Sequence, residues 1–339
     1  MLSDRYEDII NREDISSSVL AYRAGRDSVE CAKEVITFFR AHPDFQVSTF
    51  DVEKFYETID HVQLKNRWAS LLGVSRIPDD HFRVFSSLTR FRFVRKGRLR
   101  KLKFEPYDGR LCSIADYRNK VVAQGLLEPS PGVKKGVGIP QGAPISCVLS
   151  NAYMLDLDIA ITRAVQSVDG MYRRYADDMI IICPRKNAKD IENLLEEEIK
   201  KLGLNLQRKK TERRILSPIS EDSFMCIDTD TGNAKPLRYL GIEFTGDHFL
   251  LRHAGIARFQ RRRFWVIQRK AKKYAFIPKD KRYWSFVGER NNYPAYAKRA
   301  ADILDSETIR RQVNQRRNIK QIKMIIIKEI EKWRHWLAR

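Results

Sequence analysis

The sequence has few cysteines, and their spacing fits neither a metal site nor a disulfide framework. The five cysteines, at 31, 112, 147, 183 and 226, are scattered and odd in number, and no Cys-x-x-Cys pair occurs. This pattern excludes the common zinc-binding and disulfide-rich classes. We expect reduced thiols, mostly inside the core of a cytoplasmic protein.

Long apolar runs are also missing. No stretch of about 18 apolar residues occurs, and the N-terminus carries acids where a secretory signal would have an apolar segment. Internal repeats and low-complexity segments are absent from the sequence as well. With 43% hydrophobic residues in 339, we expect a folded chain of two or three subdomains and no membrane partner.

Acidic residues are scarce in one part of the chain. Residues 250–339 contain 25 basic and 7 acidic residues, which accounts for +18 of the total net charge of +21. A basic surface so concentrated predicts a polyanionic partner, and the missing apolar run favours nucleic acid over a membrane.

Two adjacent carboxylates stand in the middle of an otherwise apolar and aromatic stretch. Met171 to Tyr175 and Met179 to Cys183 predict a β-hairpin whose turn carries Asp177 and Asp178. The tetrapeptide Tyr-Ala-Asp-Asp alone is also compatible with an ordinary turn. Crowded carboxylates beside an apolar ladder need a cation, and Asp oxygens suit Mg²⁺.

Two further stretches decide between these interpretations. Asp51 follows a strand-like run from Phe45 to Phe50, and residues 138–151 contain a Pro-Gln-Gly sequence just before a helical pattern. Taken in order with the hairpin, these stretches resemble motifs A, B and C of the reverse transcriptase palm. Over residues 18–245 the chain resembles bacterial reverse transcriptases of group II introns, retrons and phage-defence systems.

The resemblance implies a metal site. It assigns Asp51, Asp177 and Asp178 as the catalytic triad, with the Val52 carbonyl as a further ligand. Two Mg²⁺ ions are expected there, with Mn²⁺ as the alternative, for two-metal nucleotidyl transfer.

The resemblance also implies a nucleotide pocket. Tyr56, next to Phe55, matches the aromatic residue that excludes a ribose 2′-hydroxyl, and a core role is its alternative. Gln141 and Gly142 match residues that line the nucleotide and template-base pocket.

Two later segments complete the resemblance. Lys210 matches the lysine that protonates the pyrophosphate leaving group, with Lys209 or a solvated charge cluster as alternatives. Leu240 and Gly241 belong to a strand that resembles the primer grip.

The resemblance divides the chain into four segments. These are partial fingers (1–50), the start of the palm with a fingers insertion (51–135), the remaining palm (136–249) and a helical basic thumb (250–339). Arg23 and Arg26 are candidates for phosphate contact or for a solvated helix start. Because only about 17 residues precede the segment that starts at residue 18, fingers strands are absent, supplied by a partner or missing from a fragment.

Local patterns predict several elements. Asp27 or Ser28 should cap a helix that includes Val35 and Phe39, and residues 62–88 read as helix. Basic and aromatic residues alternate from Arg90 to Phe104 around Lys96–Gly97, which predicts a hairpin that contacts nucleic acid or is merely solvated. Further helices are expected from Ser146 and over 190–202, 256–275 and 307–338.

We therefore expect an α+β fold: a right-hand polymerase with an antiparallel palm sheet, short fingers and a helical basic thumb. The expected function is RNA-directed DNA synthesis from an RNA template and deoxynucleotides, on a noncoding RNA in bacterial antiphage defence. A partner protein or a homo-oligomer is compatible with the sequence. The alternatives are template-independent or protein-primed DNA synthesis, and an RNA-binding subunit with an idle site.

Overall fold

The computed structural model describes residues 2–102, 104, 111–221, 223–274, 292–312, 324, 327–333 and 335. Helices and antiparallel strand pairs are mixed along these residues, which confirms the α+β class. The chain divides into two compact units, Met1–Ala24 with Ser48–Thr211 and Gly25–Val47 with Glu212–Arg339. The four predicted segments have other boundaries and stay a prediction.

The helices of the described residues are α1 (Leu2–Arg12), α2 (Ser28–Ala41), α3 (Phe55–Thr58), α4 (His61–Leu72), α5 (Asp79–Thr89), α6 (Lys96–Lys101), α7 (Ile114–Asp116), α8 (Pro144–Tyr153), α9 (Leu155–Gln166), α10 (Arg185–Lys201), α11 (His253–Tyr274), α12 (Asn292–Ile303) and α13 (Glu307–Gln312). The strands are β1 (Phe45–Asp51), β2 (Arg92–Phe93), β3 (Glu128–Pro129), β4 (Met171–Tyr175), β5 (Asp178–Pro184), β6 (Glu212–Pro218), β7 (Phe224–Asp228), β8 (Leu237–Tyr239), β9 (Ile242–Phe244) and β10 (Phe249–Leu251).

Helix ends follow local sequence signals. Asp27 caps α2 by accepting from the N–H groups of Val29 and Glu30, as predicted. Asp60 caps α4 in the same way, and α4 ends at Gly73, whose φ of 71° is one that glycine adopts without strain. The helical pattern expected over 62–88 is present as two helices, α4 and α5, because α4 ends at this glycine.

The hairpin expected over 90–104 is wrong. Lys96–Lys101 forms helix α6, and β2 pairs instead with β3, about 35 residues further along the chain. Lys96 and Gly97 therefore lie in the first turn of a helix and not in a hairpin turn. Arg95 and Arg98 both form ion pairs with Glu128 of β3, at 3.1 and 3.4 Å.

The predicted helix from Ser146 is present as two helices, α8 and α9, separated at Met154. Among the described residues no single helix is long and apolar enough to span a membrane, and α8 with α9 meets that criterion only as a pair bent by 50°. The helix predicted over 307–338 is described as α13 at its start. Most of the remainder of that prediction lies outside the described residues.

A sheet and the helices packed against it form the first unit. Its strands run in the order β4, β5 and the last residues of β1, and β4 and β5 are antiparallel with Tyr175 opposite Asp178. Helices α9 and α10 pack against this hairpin. The core between them is apolar, with members that include Tyr153, Leu157, Ile161, Met179, Ile181, Leu195 and Ile199.

A short N-terminal segment lies against β4. Val19 forms a parallel bridge to Arg174, whose N–H donates to the Ser18 carbonyl at 2.7 Å. The N–H of Leu20 donates in turn to the Arg174 carbonyl at 2.9 Å. This segment therefore extends the hydrogen bonding of β4.

The second unit combines the pair β6–β7, the sheet β8–β9–β10 and helices α2, α12 and α13. Ser306 links two of these elements, since its hydroxyl donates to the Phe249 carbonyl and accepts from the N–H of Ile309. An ion pair between Asp27 and Arg299 joins the start of α2 to α12. The N-cap of α2 thus also contributes to tertiary packing.

Candidate active site

The predicted hairpin places one carboxylate in its turn and the next at the start of a strand. Ala176 and Asp177 form the two-residue turn between β4 and β5, and Asp178 opens β5. Ala176 has a φ of 59°, which costs a residue with a Cβ about 1–2 kcal/mol. Asp177 is half-buried and Asp178 is exposed. Strain of this kind persists only where the surroundings hold the backbone in place.

A fully buried ion pair lies beneath this turn. Nε and Nη2 of Arg174 donate to the two oxygens of Asp158, at 2.7 and 2.6 Å, and neither side chain is exposed. Nη1 of Arg174 donates to the carbonyl of Ala176 at 3.0 Å. The hydroxyl of Tyr172 also donates to Asp158, at 2.9 Å. The network therefore fixes the strained residue that precedes Asp177.

Sequence reasoning missed this pair, although a signal was present. Asp158 shares the apolar face of α9 with Ile161 and Val165, where a carboxylate is buried only if it is paired. Arg174 is likewise a charged residue in a buried part of β4, where Arg173 is the other arginine. Each residue alone resembles a surface position, and only the fold brings them together.

Asp51 is the last residue of β1, as predicted. Its carbonyl accepts from the N–H of Gln207 at 2.8 Å, and the N–H of Glu53 donates to the Asn205 carbonyl at 2.8 Å. Nζ of Lys210 donates to the Asp51 carboxylate at 2.9 Å. The segment that resembles motif D is therefore attached to the end of β1, and Lys210 reaches Asp51.

Asp177 is affected electrostatically by Asp51. Burial and the charge of Asp51 raise the pKa of Asp177, against a lowering by its own backbone N–H and by the cations of Lys210 and Arg174. Because the like charges oppose ionisation, a further cation beside both carboxylates would be favourable.

The donor types fit a divalent metal ion in part. Carboxylate oxygens are the ligands that Mg²⁺ and Mn²⁺ prefer, and Asp51 and Asp177 supply them. Within the described ranges, however, no three His, Cys, Asp or Glu side chains are grouped so that they could hold a metal ion. Asp178 does not complete such a group here, so the predicted triad stays a prediction.

The loop before α8 has a conformation that requires glycine. Gly142 has a φ of 91° and open space where a Cβ would stand, and Gln141 beside it is exposed. Gly138 has a φ of 92°, its N–H donates to the Ile59 carbonyl, and an added Cβ would lie 3.0 Å from the Glu57 carbonyl oxygen. The loop is thus packed against α3 at one end and open to a ligand at the other.

Residues 1–244 match the family described as "Reverse transcriptase (RNA-dependent DNA polymerase)". The chain belongs to the reverse transcriptase family. The match covers most of the chain and includes the strands, loop and hairpin that carry Asp51, Gln141 and Asp177. The expected polymerase palm is confirmed, and members of this family in general use divalent metal ions.

Solved structures of telomerase are similar to this reverse transcriptase in part. Apo telomerase from Candida tropicalis is 15% identical with a TM-score of 0.46, over 98% of this chain and 49% of that one. Telomerase from Candida albicans in complex with a TWJ fragment of telomeric RNA is 10% identical with a TM-score of 0.45, over 99% and 57%. The chain thus spans about half the length of these proteins, and at such scores the likeness carries no further argument. No curated protein sequence matches the chain.

The aromatic residues of the predicted nucleotide pocket lie inside the reverse transcriptase core. Phe55 and Tyr56 belong to α3 and are 2% and 8% exposed. The hydroxyl of Tyr56 donates to that of Tyr22 at 2.9 Å and lies 3.4 Å from the Ser150 hydroxyl. The roles of Phe55 and Tyr56 in nucleotide binding stay predictions. The alternative for Tyr56 is a role in core packing, and its burial agrees with that alternative.

Arg23 has a structural environment. Its guanidinium forms a bidentate pair with Glu7, at 2.8 and 2.7 Å, and donates to the Val19 carbonyl at 2.8 Å. The side chain is only 9% exposed. These contacts use its donors within the protein, which favours an anchoring role over the predicted phosphate contact.

The predicted primer grip is a tight turn and not one continuous strand. Leu240 and Gly241 connect β8 to β9, with φ of 45° and 87°. Positive φ at both positions is typical of a type I′ hairpin turn. The predicted contact with a primer end stays a prediction.

The expected basic helix near the start of the predicted thumb is present as α11. Arg258, Arg261 and Arg262 are exposed on it, together with Phe264 and Trp265. Exposed arginines beside exposed aromatic rings are suited to phosphate contact and base stacking.

Proposed function

We propose that this chain is an RNA-directed DNA polymerase whose reaction takes place at Asp51, Asp177 and Lys210. One observation carries the proposal: three segments distant in the sequence bring two interacting carboxylates and one ammonium group together. Family membership supplies the reaction class, which is transfer of a nucleotidyl group to a primer hydroxyl.

The residues of the site have distinct proposed roles. Asp51 and Asp177, with Asp178 and the Val52 carbonyl as further candidates, would hold two Mg²⁺ ions. Bound ions of this kind lower the pKa of a primer 3′-hydroxyl and neutralise charge on the phosphoryl group. Lys210 is held by Asp51 at 2.9 Å, and its ammonium group is suited to donate a proton to the departing pyrophosphate.

We further propose that the template is a noncoding RNA and that the biological role is bacterial antiphage defence in the cytoplasm. The resemblance to defence and retron enzymes supports the role. The +18 charge of residues 250–339, with exposed arginines on α11, supports a bound RNA.

An RNA-binding protein with an idle polymerase site is the second candidate. The described residues contain no group of three metal-ligating side chains, and Lys210 already neutralises Asp51. These two observations favour a site in which Lys210 occupies the position beside Asp51 that a metal ion would need. The two candidates differ in whether substitution of the site carboxylates changes the DNA product.

In the experiment, the purified protein and the RNA that co-purifies with it are incubated with Mg²⁺ and labelled deoxynucleotides. A variant with Asp177→Asn and Asp178→Asn is tested in parallel. The matched control carries Asp79→Asn and Asp80→Asn, which remove two adjacent exposed carboxylates from the first turn of α5. All products are sequenced.

DNA complementary to the bound RNA, made by wild type and control but not by the site variant, is the expected result. Homopolymeric or random DNA would indicate template-independent synthesis. Absence of product from all three proteins, with the bound RNA retained, would favour the idle RNA-binding candidate.

A further inference from the structure

Tyr22 has an unusual backbone and an exposed ring. Its φ is 64°, and 46% of the residue is exposed. The left-handed region is strained for a bulky side chain, and residues held there are concentrated at functional sites. Such a position needs a reason other than core packing.

The backbone on both sides of Tyr22 is held in place. The side chain of Asn151, on α8, donates to the Ala21 carbonyl at 3.0 Å, and Asn151 also accepts from Arg174 at 3.2 Å. Arg23 is bound to Glu7 and to the Val19 carbonyl. The network that fixes the turn of Asp177 therefore also fixes the strained position of Tyr22.

The Tyr22 side chain lies beside α3, close enough to Asp177 to be affected by its charge. Its hydroxyl accepts from Tyr56 of α3 at 2.9 Å. Burial, the bond with Tyr56 and the charges of Cys147 and Asp177 raise the pKa of Tyr22. Tyr56, at 8% exposed, is covered, whereas Tyr22 presents the accessible aromatic surface of this pair.

We propose that Tyr22 is a sugar-selecting residue of this enzyme: its exposed ring, whose hydroxyl is hydrogen-bonded to Tyr56, packs against the sugar of the incoming nucleotide. The proposal rests on the proposed polymerase function and deepens it. The resemblance assigns the exclusion of a ribose 2′-hydroxyl to Tyr56 alone. Tyr22 either adds to this exclusion or performs it in place of the buried Tyr56. A ring whose backbone is held on both sides can exclude a 2′-hydroxyl, because the residue cannot move away without breaking the bonds of Asn151 and Arg23.

The test compares incorporation of dATP and ATP on a poly(rU) template with an oligo(dA) primer. Tyr22→Asn removes the ring while keeping a residue that tolerates the left-handed backbone. Tyr22→Phe keeps the ring and removes only the hydroxyl. Tyr117→Asn is the matched control, since Tyr117 is also a half-exposed tyrosine, at 42%.

We expect Tyr22→Asn to lower the ratio of kcat/KM for dATP to that for ATP by about tenfold. Tyr22→Phe should stay within about threefold of wild type, and Tyr117→Asn should not change the ratio. The ratio of the Kd for dATP to the Kd for ATP, measured with Ca²⁺ in place of Mg²⁺, should rise. This change decides the case if Tyr22→Asn incorporates too little to measure.

An unchanged ratio in Tyr22→Asn would overturn the proposal. An equal loss in Tyr22→Phe would also overturn it, because the hydroxyl and not the ring would then be responsible. A wild type that incorporates neither nucleotide would overturn the polymerase function as well, which separates that failure from an active enzyme that does not depend on Tyr22.

Discussion

Asp177 and Asp228, one in each compact unit, have opposite electrostatic environments. Asp228, at the end of β7, accepts from Lys235 and Arg214 and from the N–H groups of Asp230 and Thr231. These donors, Lys235 foremost, lower the pKa of Asp228 to about 2. Burial and Asp51 instead raise the pKa of Asp177.

Asp228 is an acid that maintains the fold, whereas we propose that Asp177 binds a ligand. The chain itself provides the positive charge that Asp228 requires. The two cations that act on Asp177 are already paired with other acids, Lys210 with Asp51 and Arg174 with Asp158. Asp177 therefore keeps a need for positive charge that a metal ion can meet.

Removing each charge in turn gives the strongest test of this comparison. Asp177→Asn should lower nucleotide incorporation by about 1,000-fold, because a group that stabilises developing charge is lost. Asp228→Asn should stay within about threefold of wild type. Steady-state incorporation of labelled deoxynucleotides measures both, and equal losses would remove the distinction between the two acids.

The buried cation beneath the turn provides the second test. Arg174→Met should lower the free energy of unfolding by about 3–5 kcal/mol, because Asp158 is left buried and unpaired. Adding Asp158→Leu should restore a large part of that loss, since an apolar pair can replace a buried ion pair. Urea denaturation followed by circular dichroism measures the change, and a loss below about 1 kcal/mol for the single variant would contradict the structure.

Lys210, the cation paired with Asp51, provides the third test. Lys210→Met should lower the incorporation rate by about 100-fold, the usual range for loss of a general acid. Lys209→Met, a substitution of the neighbouring lysine, is the control and should have little effect. Single-turnover incorporation measures the rate, and a larger effect at Lys209 would reassign the acid.

The smallest expected effect is the acid sensitivity that Asp228 confers. Its folded pKa of about 2 lies below an unfolded value of about 3.9, so the carboxylate stabilises the fold above about pH 4. That contribution disappears as the pH falls from about 4 to about 2. Wild type should therefore lose its stability advantage over Asp228→Asn across this range in urea titrations. Asp230→Asn is the matched control, because Asp230 lies in the same loop and its ion pair with Arg213 is exposed.

Much of the site could be predicted from the sequence because its signals are local. The hairpin, the end of β1 and the cap of α2 each depend on residues within a few positions of one another. The Lys96–Gly97 turn could not be predicted correctly, because β2 finds its partner at Glu128, far along the chain. Arg174 and Asp158 were missed because a charged residue among apolar neighbours does not show which distant partner the fold brings to it.

The bridge between Val19 and Arg174 has a consequence for solubility. In the order of the sheet, β4 is an edge strand, and unpaired edge strands readily add strands from other molecules. The segment from Ser18 to Leu20 uses the N–H and carbonyl of Arg174 in hydrogen bonds within the chain. Intermolecular β-pairing is thereby blocked at this position of the edge, in the hairpin that carries Asp177 and Asp178.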